Sequence, residues 1–271
     1  MTPDCVIEAN KGYEGKFITH GSARDYVQRM ADYGIEKAFI MPFNDPRMLS
    51  MEFTVEAVHD NLLEIAEAYP GKFYCFADID VRKPLSDTLE EFDRVFQNDY
   101  FIGIKLHPEN TGLPIDGPYY EGVFRYAEQR DILLEIHSYP AADEEDDPAA
   151  PFRICKMLKK YPKLRVSIAH LGGFHYQELP DTVAYLNIAA VLPDFVKHYG
   201  TEKTNQILRA LGPERLVFAS DYPDSKILKP DAIYPRYFEI LGKMDFTPEE
   251  EEKILRSNAM RMAGLLPESS D

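Results

Sequence analysis

Apolar stretches that end in polar or ionisable side chains recur along this sequence, and they restrict its fold more than any other feature. In the last of them, residues 216–223, four mostly apolar residues lead through a serine into Asp221. This pattern is typical of a buried parallel strand whose carboxyl end presents a carboxylate. Three earlier stretches share the plan, and their polar ends are Lys105 with His107, Glu135 with His137, and His170. Strand ends on one face of a (β/α)8 barrel build its active site, so the repetition predicts an enzyme with that fold.

The order of predicted strands and helices gives about eight strand-then-helix units in 271 residues. The predicted elements include strands at 101–106 and 164–170, a helix capped by Ser22 and ended by Gly34, a helix from about Thr54 and a last helix over about 248–265. A single barrel takes about 250 residues, so we predict an α/β protein with one (β/α)8 TIM-barrel domain over residues 1–271. The first predicted strand covers residues 5–9. A doubly wound open sheet, the rival fold, would need a glycine-rich phosphate turn after that strand. Residues 10–15 (NKGYEG) do not form the GxGxxG pattern.

Composition and charge exclude several classes of function. The formal net charge is −16, which argues against nucleic acid or an anionic membrane as a general partner, because phosphate groups are bound by basic surfaces. The sequence has no run of 18 apolar residues and no signal-peptide pattern at its start, so we expect a cytoplasmic protein. Three scattered cysteines predict small core residues of a reduced protein, not a disulfide framework.

Side-chain alternation predicts which residues face the barrel interior. Along the strand that ends in His107, the residues Gly103, Lys105 and His107 share one face, and the larger apolar residues between them face the helices. By the same alternation Glu135 points with His137, and His170 points with Ile168 and Val166. Small or polar residues would therefore line the mouth of the barrel.

The interior-facing residues offer two kinds of chemistry. His137, His170 and Asp221 supply two imidazoles and a carboxylate, which are ligand types for Zn²⁺ or another first-row divalent ion. The alternative is a hydrogen-bonded polar cluster without a metal. Lys105 has three possible roles: it binds an anionic substrate group, it is carbamylated and bridges metals, or it forms an ion pair with Glu135, which a buried lysine and glutamate would both require.

Five short motifs resemble the amidohydrolase-related proteins, the branch of the amidohydrolase superfamily often called amidohydrolase 2. They occur in the family's order at residues 103–108 (GIKLHP), 135–138 (EIHS), 168–173 (IAHLGG), 220–223 (SDYP) and 258–261 (NAMR). The resemblance implies a metal-dependent-hydrolase-like (β/α)8 barrel, and a hydrolase or non-oxidative decarboxylase with Zn²⁺ or Mn²⁺. It also implies metal ligands at His137 and Asp221 and an acid/base or substrate-polarising role for His170. Homodimers are common among such proteins, so a homodimer is possible here.

The first strand departs from the family pattern. Its usual Asp-x-His-x-His segment, which supplies two metal ligands, aligns with residues 8–12 (EANKG), so both histidines are missing. Asn10 offers only an amide oxygen. The resemblance then leaves His137 and Asp221 as a reduced ligand set, with His107 or His170 as a further ligand. The two alternatives are a weakly bound divalent metal and no metal.

Three hypotheses follow from these residues. The first is a hydrolase or non-oxidative decarboxylase that acts on a small carboxylated substrate through a divalent metal at the barrel mouth. In it Asp221, His170 and Lys105 are catalytic, and the substrate contacts are His107, Asn10 and Glu135. The second is a metal-free hydrolase of the lactonase type, with Asp221 as general base. The third is a barrel that has lost catalysis and binds a small molecule or a protein.

Overall fold

The structure is a computed structural model that describes residues 21–42, 54–141, 143, 146–223 and 228–266. The predicted first strand and Asn10 lie outside these residues. The strands in the described part are β1 (Ala38–Ile40), β2 (Phe73–Ala77), β3 (Phe101–Leu106), β4 (Leu133–Ile136), β5 (Val166–Ile168), β6 (Tyr185–Asn187) and β7 (Leu216–Val217). The α-helices are α1 (Ala23–Tyr33), α2 (Val55–Ala68), α3 (Leu85–Val95), α4 (Pro108–Thr111), α5 (Pro118–Arg130), α6 (Pro151–Lys160), α7 (Val191–Leu211), α8 (Pro230–Leu241), α9 (Pro248–Glu252) and α10 (Asn258–Met262).

The seven strands form one parallel sheet in chain order, β1 to β7. Helices or helical turns connect successive strands, as the prediction of a parallel barrel requires. The register between β3 and β4 places Lys105 directly opposite Glu135. Polar residues predicted at the mouth therefore lie at the same level on neighbouring strands.

A small apolar cluster shows that the sheet is strongly curved. Phe76 of β2, Leu133 of β4 and Val217 of β7 pack with Met262 of α10 in one buried cluster. In a flat sheet, five strand spacings of about 4.8 Å would separate β2 from β7 by roughly 24 Å. Each of these strand residues comes before the polar residues that follow at the end of its strand. The cluster therefore fills the end of the barrel away from the mouth.

Local signals in the sequence set the helix ends. Helix α1 begins after Ser22, whose side chain accepts a hydrogen bond from the Asp25 amide. It ends at Gly34, which has a φ of 67° in the left-handed region that glycine adopts at low cost. Thr54 caps α2 in the same way through the Ala57 amide. These predicted ends are confirmed.

Two strands are shorter than predicted, and both changes affect the site. Strand β5 ends at Ile168, and His170 follows in a turn with φ 58° and ψ 28°, so its predicted alternation with Val166 and Ile168 is wrong. Strand β7 ends at Val217 because the next amide, that of Phe218, donates to the carbonyl of Ile254 near the C-terminus instead of extending the ladder. The predicted C-terminal helix is also interrupted, by a π-helical turn over Lys253–Ser257.

None of the helices in the described ranges combines the length and the apolar character needed to cross a bilayer.

Candidate active site

Three imidazole rings meet where β3, β4 and β5 end. The rings of His107 and His137 are stacked, with centroids 3.7 Å apart and planes 14° from parallel. The ring of His170 lies edge-on to His137 at 4.7 Å. His137 and His170 are buried, at 8% and 5% exposure. The sequence placed these residues at the ends of three different strands, and the fold brings them into contact.

His170 is held through its backbone and its ring. Its left-handed conformation costs a residue other than glycine about 1–3 kcal/mol, so the surroundings must enforce it. The Nδ1 atom lies 2.8 Å from the carbonyl oxygen of Ala189, and since a carbonyl only accepts, Nδ1 carries a proton. In the neutral ring Nε2 then carries a lone pair, and it accepts a hydrogen bond from Nδ1 of His137 at 3.1 Å.

This arrangement determines what His137 presents to Glu109. With its proton on Nδ1, neutral His137 has a lone pair on Nε2, and that atom lies 2.9 Å from Oε2 of the Glu109 carboxylate. Two lone pairs at this distance repel unless a cation lies between them. Either a proton or a metal ion satisfies the contact. Glu109 is in α4, one residue after the proline that follows His107, and its side chain is 57% exposed.

His107 is a neutral imidazole in this structure. It caps α4, and its Nδ1 accepts a long hydrogen bond of 3.3 Å from the Asn110 amide. Burial, together with the nearby His137 and Lys105, lowers the pKa of His107 to about 2. The ring therefore adds no positive charge to the cluster and offers a nitrogen lone pair.

A buried polar pair lies below the imidazoles. Nζ of Lys105 is 4.0 Å from Oε1 of Glu135, a distance compatible with an ion pair and too long for a hydrogen bond. The same Oε1 accepts a hydrogen bond of 2.5 Å from Nδ2 of Asn187. Burial raises the pKa of Glu135, against the lowering effects of Lys105 and Asn187.

A second buried carboxyl group, that of Asp78, follows β2 beside Lys105. It is 1% exposed, its Oδ1 accepts from the Ile79 amide, and its Oδ2 has no hydrogen-bond partner among the residues that the structure describes. Burial, aided by the charge of Asp80, raises the pKa of Asp78 to about 8, while Lys105 acts in the opposite direction. Asp78 thus keeps its proton at neutral pH.

The backbone at Asp78 is fixed by a polar network behind the sheet. Its amide donates to Nε2 of buried His59 at 2.7 Å, and Nδ1 of His59 donates to Glu91 at 2.7 Å. Arg94 donates two further hydrogen bonds to Glu91. Burial acts to raise the pKa of Glu91, but the bonds from His59 and Arg94 outweigh it and lower this pKa to about 2.

Asp221 lies at the same mouth but in an exposed position. Its φ of 55° is in the left-handed region, after the short strand β7. Its negative charge helps burial to raise the pKa of Glu135 and adds to the causes that raise that of Tyr139. Asp221 is not a member of the three-residue donor cluster that occurs in the described residues, which consists of His107, Glu109 and His137.

Aromatic side chains stand beside the imidazoles. The ring of Tyr139 is 5.2 Å from that of His170 and 6.5 Å from that of Phe174. The hydroxyl of Tyr139 donates to Asp194 of α7 at 2.5 Å.

The structure therefore groups the predicted residues in two layers, with His107, His137 and His170 above Lys105 and Glu135. Asn10 lies outside the described residues. Sequence reasoning missed Glu109 and Asn187. For Glu109 a signal was available, since it is two residues after a histidine at a strand end, with a proline between them that starts a helical turn. For Asn187 the signal was weaker: an asparagine in a strand, where asparagine is depleted.

Comparison with known proteins identifies the family. The amidohydrolase family model matches residues 11–265. The chain belongs to the amidohydrolase family. No curated protein gives a match to its sequence.

Solved structures support the fold of this amidohydrolase. The 2,6-dihydroxybenzoate decarboxylase from Rhizobium has a TM-score of 0.70 at 15% identity, with 94% of each chain covered. The 5-carboxyvanillate decarboxylase from Novosphingobium aromaticivorans, complexed with manganese and 4-hydroxy-3-methoxy-5-nitrobenzoic acid, has a TM-score of 0.71 at 16% identity, covering 96% of this chain and 86% of the other. A probable 2-pyrone-4,6-dicarboxylic acid hydrolase from Acinetobacter baumannii, with citric acid bound, has a TM-score of 0.63 at 14% identity, covering 90% and 89%. The predicted TIM-barrel fold is confirmed.

The donor chemistry at the mouth fits a divalent ion. His107, Glu109 and His137 each offer one ligand atom, and these atoms lie within 4.8 Å of one another. Two imidazoles and a carboxylate suit Zn²⁺ and Mn²⁺. Nε2 of His137 is already directed at Glu109, and His170 orients that ring through its other nitrogen, as partners of metal-bound histidines do. Coordination by Nε2 of His107 would require its proton to move to Nδ1 and the long bond from Asn110 to be given up.

Proposed function

We propose that this amidohydrolase is a divalent-metal-dependent decarboxylase of small aromatic carboxylates. The observation that carries the proposal is the contact between Nε2 of His137 and Oε2 of Glu109, 2.9 Å apart beside His107. Two lone pairs in this position repel unless a cation lies between them, and the imidazole of His107 offers that cation a third donor atom. In this proposal His107, Glu109 and His137 hold the ion, and Asp221, a ligand in the sequence analysis, is assigned to proton transfer.

Two of the similar structures are decarboxylases of carboxylated aromatic compounds, namely 2,6-dihydroxybenzoate and 5-carboxyvanillate. The ring of Tyr139 beside His170, and the ring of Phe174 beside Tyr139, supply apolar surface that suits a flat aromatic substrate. Lys105 suits an anionic substrate oxygen, since among the residues that the structure describes its ammonium group has only the 4.0 Å contact with Glu135. These features support a small carboxylated aromatic as the substrate class.

The residues have the following roles in the reaction. A divalent ion, when bound, supplies positive charge to a substrate carboxylate and a neighbouring oxygen. Asp221, which is exposed to solvent, takes a proton from water and passes it to the ring carbon that carries the carboxylate. The electrons of the carbon–carbon bond then return to the ring as that bond breaks and CO₂ leaves. Lys105 binds a second anionic oxygen of the substrate, and His170 keeps His137 in its orientation.

Hydrolysis is the second candidate. The similar pyrone dicarboxylic acid hydrolase favours it, and so does the exposed position of Asp221, where a carboxylate can take a proton from water. Water would add to a lactone carbonyl polarised by Lys105 or His170, and the ring ester bond would break to give a carboxylate and an enol oxygen.

The test uses purified protein freed of metal by chelation and then loaded with Mn²⁺ or Zn²⁺. Release of CO₂ from 2,6-dihydroxybenzoate and 5-carboxyvanillate measures decarboxylation, and loss of 2-pyrone-4,6-dicarboxylate measures hydrolysis. We expect metal-dependent CO₂ release that His137→Ala abolishes and that Glu90→Ala, at an exposed position on α3, preserves.

Three other results would contradict the proposal. Metal-dependent pyrone opening without CO₂ release indicates the hydrolase. Turnover that survives exhaustive chelation indicates the metal-free lactonase. Thermal stabilisation by these compounds without any turnover indicates a binding barrel.

A further inference from the structure

The side chain of Asn187, the last residue of β6, forms three hydrogen bonds. Its Oδ1 accepts from the backbone amides of His170, at 3.1 Å, and Ala189, at 3.2 Å. Its Nδ2 donates to Glu135 at 2.5 Å. The orientation of the amide follows from these partners, because backbone N–H groups only donate and the atom that faces both of them must be the oxygen.

These bonds hold His170 from two sides. The backbone N–H of His170 is bound by Asn187, and Nδ1 of its ring donates to the carbonyl of Ala189, whose own amide is bound by Asn187. The side chain of Asn187 is 5% exposed, so water does not readily replace it as the acceptor. His170 is also in the left-handed region, which it leaves readily once its amide has no partner.

We propose that Asn187 is a positioning residue, which fixes the His170 imidazole against His137 and thereby directs Nε2 of His137 at Glu109. The claim that Asn187 positions His170 is based on the three hydrogen bonds of its side-chain amide. The claim that it affects metal affinity rests on the proposed function, because it takes His137 as a metal ligand. None of the three hydrogen bonds of Asn187 goes to His107, Glu109 or His137, the residues proposed to hold the metal.

The side-chain amide of Asn187 has an acceptor, Oδ1, and a donor, Nδ2, and two substitutions distinguish their effects. Asn187→Leu keeps the branch at Cγ and removes both the acceptor for the backbone amides and the donor to Glu135. Asn187→Asp keeps an oxygen for the backbone amides and loses the donor to Glu135. If positioning of His170 is the function of this residue, aspartate rescues what leucine loses.

Asn258 provides a matched control. It is 1% exposed, and its Nδ2 donates to the carbonyls of Pro213 and Leu216, away from the histidines. Asn258→Leu therefore removes a buried amide of the same kind and destabilises the fold without touching His170.

The experiment measures hydrogen exchange of the His170 and Ala189 amides and, in the same variants, the Kd for Mn²⁺ alone. In Asn187→Leu we expect both amides to exchange faster relative to the sheet amide of Leu186, and Mn²⁺ to bind about 10-fold or more weakly. Asn187→Asp should keep the amides protected and the Kd within about 3-fold of the unsubstituted protein, as should Asn258→Leu.

Unchanged exchange at His170 and Ala189 in Asn187→Leu would overturn the proposal, and so would equal losses in Asn258→Leu. If Asn187→Leu does not fold, the aspartate variant decides: loss of amide protection there contradicts the role of Oδ1, and retained protection supports it. If the unsubstituted protein binds no Mn²⁺, the proposed metal site fails, while the exchange comparison still tests the position of His170.

Discussion

Nδ1 of His137 donates a hydrogen bond to Nε2 of His170 over 3.1 Å, and in the neutral ring this contact leaves the nitrogen that faces Glu109 without a proton. The carbonyl of Ala189 fixes the tautomer of His170, and the tautomer of His137 follows from it. A lone pair is then directed at a carboxylate, and a proton or a metal ion satisfies that contact. One backbone carbonyl group thus sets the tautomers of two imidazoles in the site.

Glu109 should be necessary for metal binding. Glu109→Gln removes the negative charge next to Nε2 of His137, so we expect the Kd for Mn²⁺ to rise at least about 10-fold. Isothermal titration calorimetry measures the change. Glu90→Gln, an exposed position on α3 with the same loss of charge, is the control and should leave the Kd unchanged. Equal affinity in the two variants would exclude Glu109 as a ligand.

Asp78 should make stability fall as pH rises. Its ordinary pKa is 3.8 and its pKa in the folded protein is about 8, so between these values the folded protein keeps a proton that the unfolded chain has released. The free energy of unfolding then decreases by up to about 1.4 kcal/mol per pH unit in this window. Asp78→Asn should remove that decrease in urea unfolding at pH 5 to 8.

Asp80→Asn is the control for this titration. Arg82 lowers the pKa of Asp80, so the stability that Asp80 contributes is fully present above its ordinary pKa and is lost only in acid. Between pH 5 and 8 this variant should still show a slope caused by burial of Asp78, over a narrower range of pH, because the Asp80 charge that helps to raise the pKa of Asp78 is gone. A slope in Asp78→Asn equal to that of the unsubstituted protein would show that Asp78 is ionised in the folded state.

The Glu91 carboxylate should be important for stability. Glu91→Ala leaves Nδ1–H of buried His59 without an acceptor and removes two of the hydrogen bonds of Arg94, which keeps its bond to Asp60. An unpaired buried donor costs about 1–3 kcal/mol, and we expect a loss of that size in the free energy of unfolding measured with urea. Glu90→Ala, on the exposed side of the same helix, should change stability by less than about 0.5 kcal/mol. Similar losses in both would contradict a special role of the His59 network.

Gly103 has no side chain, which leaves room for Phe76 and Leu133 of the apolar cluster at the end of the barrel away from the mouth. A Cβ at this position would lie 2.6 Å from the ring of Phe76 and 2.8 Å from the carbonyl oxygen of Leu133. Gly103→Ala should therefore destabilise the protein by about 1–3 kcal/mol, the usual cost of overpacking. Gly242→Ala, at an exposed position with a helical backbone, should change stability by less than about 1 kcal/mol. Thermal unfolding of both variants makes the comparison.

The sequence predicted those parts of the fold that depend on local patterns. Strand β3 has the predicted bounds, and Ser22 and Gly34 end α1 as expected, because alternation, capping and left-handed glycine act over a few residues. The lengths of β5 and β7 could not be predicted. The amide of Phe218 finds its acceptor 36 residues further along the chain, at Ile254, which no local pattern reveals.

The candidate site was predicted in part, for the same reason. The histidines at 107, 137 and 170 each follow a strand of one parallel sheet, so their convergence follows from the fold. Asn187 acts across 52 residues on Glu135 and across 17 on His170, and its position in a weak strand gave no sign of either contact. Its role depends on tertiary hydrogen bonds that only the folded chain brings together.

A crystal structure of the protein soaked with Mn²⁺, with the ion located by its anomalous scattering, tests the central claim most directly. We predict one ion bound by Nε2 of His137, a carboxylate oxygen of Glu109 and a nitrogen of His107. An ion held by Asp221 without Glu109 and His107, or no ion at the mouth of the barrel, would contradict it.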